Sequence, residues 1–291
     1  MSKERKIGAL IPGYNVEGIV ADVLRAFSPR TLSQIAEVVV IDNHSTDNTF
    51  GVLRELQHED GELARRLTVI RNDRNYGLGG SLKIGFRYMI DNGFSHLMII
   101  HSDKQGDSEE IATNFLNHLE HNPEVDAIMA SRFVEGSRIE GYSRLRTVGN
   151  HVFNILTYLL TGLRMSDSGC GIVLLRTEVV KEVAFAGLSN SYFFNPQVNI
   201  LLFANRSLRI DEIPLHWADA EAGSNLRAAR YVVGLTNILV RYRLRRLAGR
   251  SGFNLSEGEN WLASLPHQVF RDAGPGTPRK MAATSTNIRM W

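Results

Sequence analysis

The sequence predicts an α/β protein: a Rossmann-like, mostly parallel sheet flanked by helices, then an amphipathic C-terminal helix and a weakly ordered tail. Three observations predict this. Short β-branched runs alternate with stretches of helical periodicity through the first half. The residues that follow those runs are unusually polar, as at the ligand-bearing ends of parallel strands. Beyond Arg250 the chain turns Gly-, Ser- and Pro-rich and loses any period.

Strands are expected at 7–11, 37–42, 67–72, 97–101 and 125–131, with helices between them at 17–27, 49–57, 79–91 and 109–121. The last helix has the clearest signals, because Asp107 and Ser108 can cap it and Ile111, Phe115 and Leu119 recur four residues apart. After Ser131 a polar loop (133–143) leads to a long helix (145–163) with Val148, Val152, Leu156 and Leu159 on one face. An apolar run at 172–175, helices at 177–185 and 196–204 and a strand at 208–215 follow. From Ala228, a helical face of Tyr231, Val232, Leu235, Ile238, Leu239 and Tyr242 runs into Arg241, Arg243, Arg245 and Arg246. The resulting division is one domain at 1–226, a basic amphipathic helix at 227–250 and a tail at 251–291. The helix is expected to pack on the core or on a second subunit, with an anionic membrane surface as the alternative. Removing the tail is expected to leave stability and activity nearly intact.

Composition excludes several classes. The 291 residues are 43% hydrophobic and 22% charged, enough for one large soluble domain. Cys170 is the only cysteine, so neither an internal disulfide nor a cysteine zinc cluster is available, and a reducing, cytoplasmic setting is expected. Thirty-three Lys and Arg against thirty-one Asp and Glu give no charge argument for nucleic acid, which is not expected as a partner. No apolar run reaches the ~18 residues of a membrane span, so membrane contact would be peripheral.

The candidate site residues follow the strands. Pro12, Tyr14, Asn15 and Glu17 come after the first, Asp42 to Asp47 end the second, and His101, Ser102, Asp103, Lys104 and Gln105 follow the fourth. An aromatic ring, amides and carboxylates on one rim suit a nucleotide base and ribose with a metal-bridged diphosphate. Ser45, Thr46 and Asp47 serve equally well as helix caps. The segment 77–80 is Gly-rich but follows the third strand, so it does not fit a dinucleotide fingerprint. It is expected to let a helix N-terminus approach a ligand or the sheet closely.

These residues carry a resemblance. The stretches 11–15 (Ile-Pro-Gly-Tyr-Asn), 40–49 (Val-Ile-Asp-Asn-His-Ser-Thr-Asp-Asn-Thr), 75–80 (Asn-Tyr-Gly-Leu-Gly-Gly) and 101–105 (His-Ser-Asp-Lys-Gln) come in the order seen in family 2 glycosyltransferases of GT-A fold. The motifs at 131–133, 149–150, 167–171, 212–214 and 223–224 extend the match over roughly residues 7–226, and the set resembles the dolichol- and polyprenol-phosphate sugar synthase branch. The resemblance implies an inverting transfer from a nucleotide diphosphate sugar to a polyprenyl-phosphate-like acceptor, assisted by Mn²⁺ or Mg²⁺. It places Pro12, Tyr14, Asn15, Glu17, Ser102 and Asp103 on the donor, with Asp42 reading the base or ribose. The family's Glu directly follows the Asn, whereas here Val16 intervenes before Glu17.

The metal motif departs most. The family shows Asp-x-Asp with a Gln two residues on, and the first Asp is here His101, leaving Asp103 and Gln105. As a ligand, His101 would tilt the site toward manganese; otherwise Asp103 alone reaches the metal. On the acceptor side the resemblance implies that Arg132, Arg144, Arg146 and Ser224 meet the acceptor, Arg through its bidentate fork on phosphate. Asp167 would be the general base toward a hydroxyl, or position the sugar if the nucleophile is an anionic phosphate. Where the family follows Gly-Ser-Gly with Phe-Arg this chain has Cys170-Gly171-Ile172, and 219–225 lacks the family's basic residues, Arg227 standing nearby. A soluble small-molecule or nucleoside hydroxyl acceptor is therefore an alternative, as is a non-catalytic sugar-nucleotide binding module. A homo-oligomer is a further candidate assembly.

Overall fold

The computed structural model describes residues 5–141, 143–182, 185–218, 228–253 and 265–271. In it the β-branched runs form β1 (Ile7–Gly13), β2 (Glu37–Asp42), β3 (Leu67–Asn72), β4 (His96–Ile99) and β5 (Ala127–Ser131). These strands are apolar through their middles and buried at nearly every position because both sheet faces are covered. Ala9, Ile11, Val38, Val40 and Val69 enter one core, while Leu10, Val39, Ile41 and Ile70 point into the other. Helices α1 (Val20–Arg25), α2 (Pro29–Gln34), α3 (Thr49–Gln57) and α4 (Glu62–Arg66) cover the first face. Helix α5 (Gly77–Asp91) covers the second with Leu82 and Phe86, and α6 (Ser108–His121) returns to the first with Ile111, Phe115 and Leu119. Asp107 caps α6 by accepting from the Glu110 N–H at 2.8 Å, whereas the Ser108 hydroxyl donates to the Val23 carbonyl instead.

The second half comprises β6 (Arg138–Glu140), α7 (Arg144–Thr161), β7 (Val173–Arg176), α8 (Thr177–Glu182), α9 (Phe194–Ala204), β8 (Ile210–Pro214), β9 (His216–Ala218), α10 (Ala228–Leu247) and β10 (His267–Arg271). The large sheet has the order β10-β3-β2-β1-β4-β7-β5-β8, antiparallel only where β7 and β10 pair, and β6 with β9 forms a parallel ribbon. Strand β1 lies between β2 and β4, so the chain builds outward from β1 in one direction and then in the other. That reversal opens a crevice at the strands' carboxyl ends.

Three expectations change. The 145–163 helix forms, but Val148, Val152 and Leu159 are exposed, and it is Phe153, Leu156 and Leu160 that pack on the core. Periodicity reveals a stripe without saying which stripe finds a partner. Secondly, the Gly-rich start of α5 packs against a loop rather than the sheet. A Cβ on Gly77, whose φ is +76°, would lie 2.3 Å from the Asn190 carbonyl oxygen, and one on Gly79 2.3 Å from that of Ser189, so these glycines let the 189–190 loop close on the helix.

Thirdly, the segment 251–291 is not wholly irregular. Strand β10 pairs antiparallel with β3, Val269 opposite Ile70, and Phe270 meets Phe50 edge-on with centroids 5.1 Å apart. Gln57 donates to the Phe270 carbonyl, while Phe253 and Leu265 are buried. Truncation after Arg250 is accordingly expected to expose the β3 edge and lower Tm by on the order of 5 °C, reversing the expectation above. An unchanged melting curve for the truncated chain would show that β10 contributes no stability.

Lys83 of α5 is buried, donating to Leu188 O and, at 2.7 Å, to Asn190 Oδ1, so it pins the same loop. Burial pushes its ammonium down to about 8. Between there and the ordinary lysine value the unfolded chain holds a proton that the folded chain does not, so folding stability gains as pH rises through that window. Unfolding free energies from urea titrations of the parent and Lys83→Met across that window should diverge in the parent's favour as pH rises, by about 3 kcal/mol at most. Parallel pH profiles would refute this.

Candidate active site

The loops after β1, β2 and β4 meet at the crevice and are stitched together. Asn15, at φ +55°, accepts from the Thr46 N–H at 2.8 Å through Oδ1 and donates from Nδ2 to the Thr46 hydroxyl, while its own N–H donates to the Ser45 hydroxyl. Glu17 Oε2 accepts from the Asn48 N–H at 2.6 Å. The Ser102 hydroxyl donates to the Pro12 carbonyl at 2.7 Å. Asn15, Glu17 and Ser102, expected as donor contacts, therefore serve first as clasps between loops. Asp47 does cap, accepting from the N–H and hydroxyl of Thr49. Tyr14, just beyond β1, is 45% exposed at the rim and leaves its ring available to a base.

Asp42, at the end of β2, is wholly buried. Its Oδ1 accepts from the Ser45 N–H at 2.9 Å; its Oδ2 has no hydrogen-bond donor and lies 3.4 Å from Nε of Arg71, whose guanidinium stacks on Phe50. Arg71 was invisible from its own neighbourhood, because only the pairing of β2 with β3 brings it beside Asp42. Asn43 carries a network alongside: its Oδ1 accepts from Asn72 Nδ2 and the Tyr76 N–H, and its Nδ2 donates to Asn75.

Past β4, His101 and Asp103 part company. The imidazole lies edge-on to Trp217 at 5.9 Å, with Nε2 buried, without a hydrogen-bond partner, and 3.1 Å from where a Cβ on Gly171 would stand. Burial, with the Arg132 charge, holds it below the ordinary histidine value, against the pull of the Asp103 charge. Asp103 is half-buried, Oδ1 accepting from the Gln105 N–H at 3.1 Å. Lys104, at φ +56°, turns away to pair with Asp22 of α1. Among the described residues no group of three or more His, Cys, Asp and Glu could hold a metal ion. Of the expected trio of His101, Asp103 and Gln105, Asp103 is the one carboxylate, and His101 has its Nε2 turned inward toward Trp217 and Gly171.

Two of the residues expected on the acceptor side are brought together. Arg132 and Asp167 form a buried bidentate pair, Nε to Oδ2 at 2.7 Å and Nη2 to Oδ1 at 2.8 Å, with side chains 9% and 2% exposed. Arg132 N–H also donates to Asp167, and the guanidinium faces Trp217. The Asp167 loop is held from both sides: Asn154 of α7 bonds Ser166 and Ser168, and Asn199 of α9 donates to the Ser168 and Cys170 carbonyls. Burial, with the Asp167 charge, pushes the Cys170 thiol up to about 12 and leaves it inert. Arg132 and Asp167 stand 35 residues apart, so no local pattern marks their mutual bond. Arg144 is exposed and Arg146 half-buried in the first turn of α7, whose cap is Ser143. Ser224, with the whole of 219–227, lies outside the described residues.

A family model described as glycosyl transferase family 2 matches residues 9–184. The chain belongs to this family. As a family 2 glycosyltransferase it has relatives among polyprenyl-phosphate sugar transferases. It is 22% identical over 73% of its length to the UDP-N-acetylglucosamine–dolichyl-phosphate N-acetylglucosaminyltransferase of Methanococcus voltae, of which 85% is covered. It is 26% identical over 73% of its length to the polyprenol monophosphomannose synthase of Mycolicibacterium smegmatis, covering 79%. Glucosyl-3-phosphoglycerate synthase of Mycobacterium tuberculosis, solved with UDP, superposes with TM-score 0.57 over 84% of this chain and 81% of that one at 17% identity. The same synthase with Mn²⁺ and UDP-glucose gives 0.55 at 16% identity, covering 84% and 80%. The shared fold is GT-A, and the glycosyltransferase uses a nucleotide sugar as donor.

Proposed function

We propose that this glycosyltransferase moves a sugar, with inversion, from a nucleotide diphosphate sugar to a polyprenyl-phosphate-like acceptor. The observation that carries the acceptor class is the Arg132–Asp167 pair. With both carboxylate oxygens engaged by one guanidinium, Asp167 is not a base waiting for a hydroxyl proton. A phosphate nucleophile needs none, since it arrives as an anion. Its oxygen bonds to the anomeric carbon as the bond from that carbon to the nucleoside diphosphate breaks, and the electron pair leaves on the diphosphate. Arg144 and Arg146 at the start of α7 meet the acceptor phosphate, assisted by the positive end of the helix. Asp167, held in place by Arg132, orients the sugar.

On the donor side, Tyr14 takes the base, and Asp42, at the end of β2 beside Arg71, reads the base or ribose. Asp103 is the anionic donor for a divalent cation, Gln105 flanking it. The two would help hold that cation at the diphosphate. When bound, the cation supplies charge neutralisation on the leaving diphosphate.

Melting temperatures with UDP, GDP, dTDP or CDP, each with Mn²⁺, Mg²⁺ or chelator, test the donor half, since a ligand of the native state raises Tm. One diphosphate stabilising only with metal is the expected result; indifference to all four would overturn it. Transfer to a polyprenyl phosphate but not to the matching alcohol tests the acceptor half.

A further inference from the structure

Helices α7 and α10 pack against each other, and each exposes an apolar stripe opposite the one it buries. On α7, Asn154 and Thr157 turn inward to the 166–168 loop. Val148, Val152, Ile155 and Leu159, spaced by four, three and four residues, stand 57–66% exposed. On α10, Leu235, Leu239 and Tyr242 are buried, while Val233, Val240, Leu244 and Leu247, spaced by seven, four and three, are 39–70% exposed. A 3.6-residue period puts each set on one line along its helix. Arg241 and Arg243 are exposed on either side of the α10 stripe. Neither helix contains an Asp or Glu, whereas α7 carries two arginines and α10 five.

The charge pattern selects the occupant. A second copy of this chain would bring the same arginines and no carboxylate from either helix, setting like charge against like. An anionic lipid surface supplies both missing complements: acyl chains for the valines and leucines, and headgroup phosphates for guanidiniums that lie beside them on long stems. No helix among the described residues is long and apolar enough to cross a membrane, so the geometry is that of helices lying in the interface.

We propose that α7 and α10 together form a docking face for an anionic bilayer. The inference deepens the reading of a lipid-phosphate acceptor and rests on it for its purpose. Helix α7 would meet the lipid with its outer stripe while its inner side holds the Asp167 loop and its first turn carries Arg144 and Arg146. Binding to the bilayer itself needs neither donor nor acceptor, so the two can fail separately.

Flotation of the full chain with phosphatidylcholine vesicles, with and without phosphatidylglycerol, tests the proposal. The chain is expected to float with the anionic vesicles, to be released by salt, and to bind neutral ones far less. Ile155→Asp with Leu244→Asp, and separately Arg241→Glu with Arg243→Glu, should each weaken vesicle binding about tenfold or more. All four side chains are exposed, so unchanged melting temperature and unchanged nucleotide stabilisation verify the fold. No flotation of the parent with either vesicle, or equal flotation of parent and variants, would overturn the proposal. So would a homodimer in sedimentation that Ile155→Asp with Leu244→Asp dissociates while vesicles bind neither form. Vesicle binding without any nucleotide response would instead sink the donor reading and leave the docking face standing.

Discussion

Asp103→Ala is expected to lower the rate of sugar transfer by at least about 100-fold while leaving Tm within ~2 °C of the parent. The side chain is half-buried in a loop and its one described bond is to the Gln105 N–H two residues away, so its removal loosens a turn and touches no core. What disappears is the only carboxylate that the segment 101–105 offers to a cation, and with it the means of holding the leaving diphosphate's countercharge. The metal-dependent part of nucleotide stabilisation should vanish with it, although Tyr14 and Asp42 are unaltered. Near-normal turnover, or metal-dependent stabilisation that survives the change, would remove Asp103 from the site. His101→Ala, by contrast, should act through packing on Trp217 and lower Tm more than it alters metal preference.

The second large effect is on stability. Arg132→Met leaves the Asp167 carboxylate buried without its partner, a change that costs about 3–5 kcal/mol in comparable pairs and corresponds to a fall in Tm on the order of 10 °C. Adding Asp167→Leu should recover much of that loss, since an apolar pair of similar volume avoids desolvating charge. The double variant should nevertheless remain inactive, because the sugar-side carboxylate is gone. Thermal melts of both singles and the double separate these contributions. If Arg132→Met melts with the parent, the pair is not a structural element and Arg132 is available for the acceptor.

Much of the scaffold could be read in advance where a single physical rule acted locally. Helix α3 and strands β2 and β3 have the bounds that the apolar runs suggested, because each run gives way to polar residues whose hydrogen bonds go to loops and side chains rather than along the ladder. Strand β10 could not be read that way. His-Gln-Val-Phe-Arg is an ordinary pentapeptide, and only the open edge of β3, nearly two hundred residues earlier, makes it a strand. The site divides similarly. Its residues after β1, β2 and β4 were found because strand ends in a parallel sheet converge, but the partners that determine what each can do, Arg71 for Asp42, Trp217 for His101 and Arg132 for Asp167, are long-range contacts that no local pattern records.

The clasps among the three crevice loops bear on how affinity is acquired. Fixing the backbone of one residue costs about 1–2 kcal/mol of conformational entropy, and a binding loop that orders only on contact subtracts that from every ligand it takes. Here Asn15, Glu17 and Ser102 settle that cost during folding, so the nucleotide meets a rim already in shape. Side chains that clasp one loop to another can then govern its KM: loosening Asn15 would weaken donor binding while the bound complex still turned over.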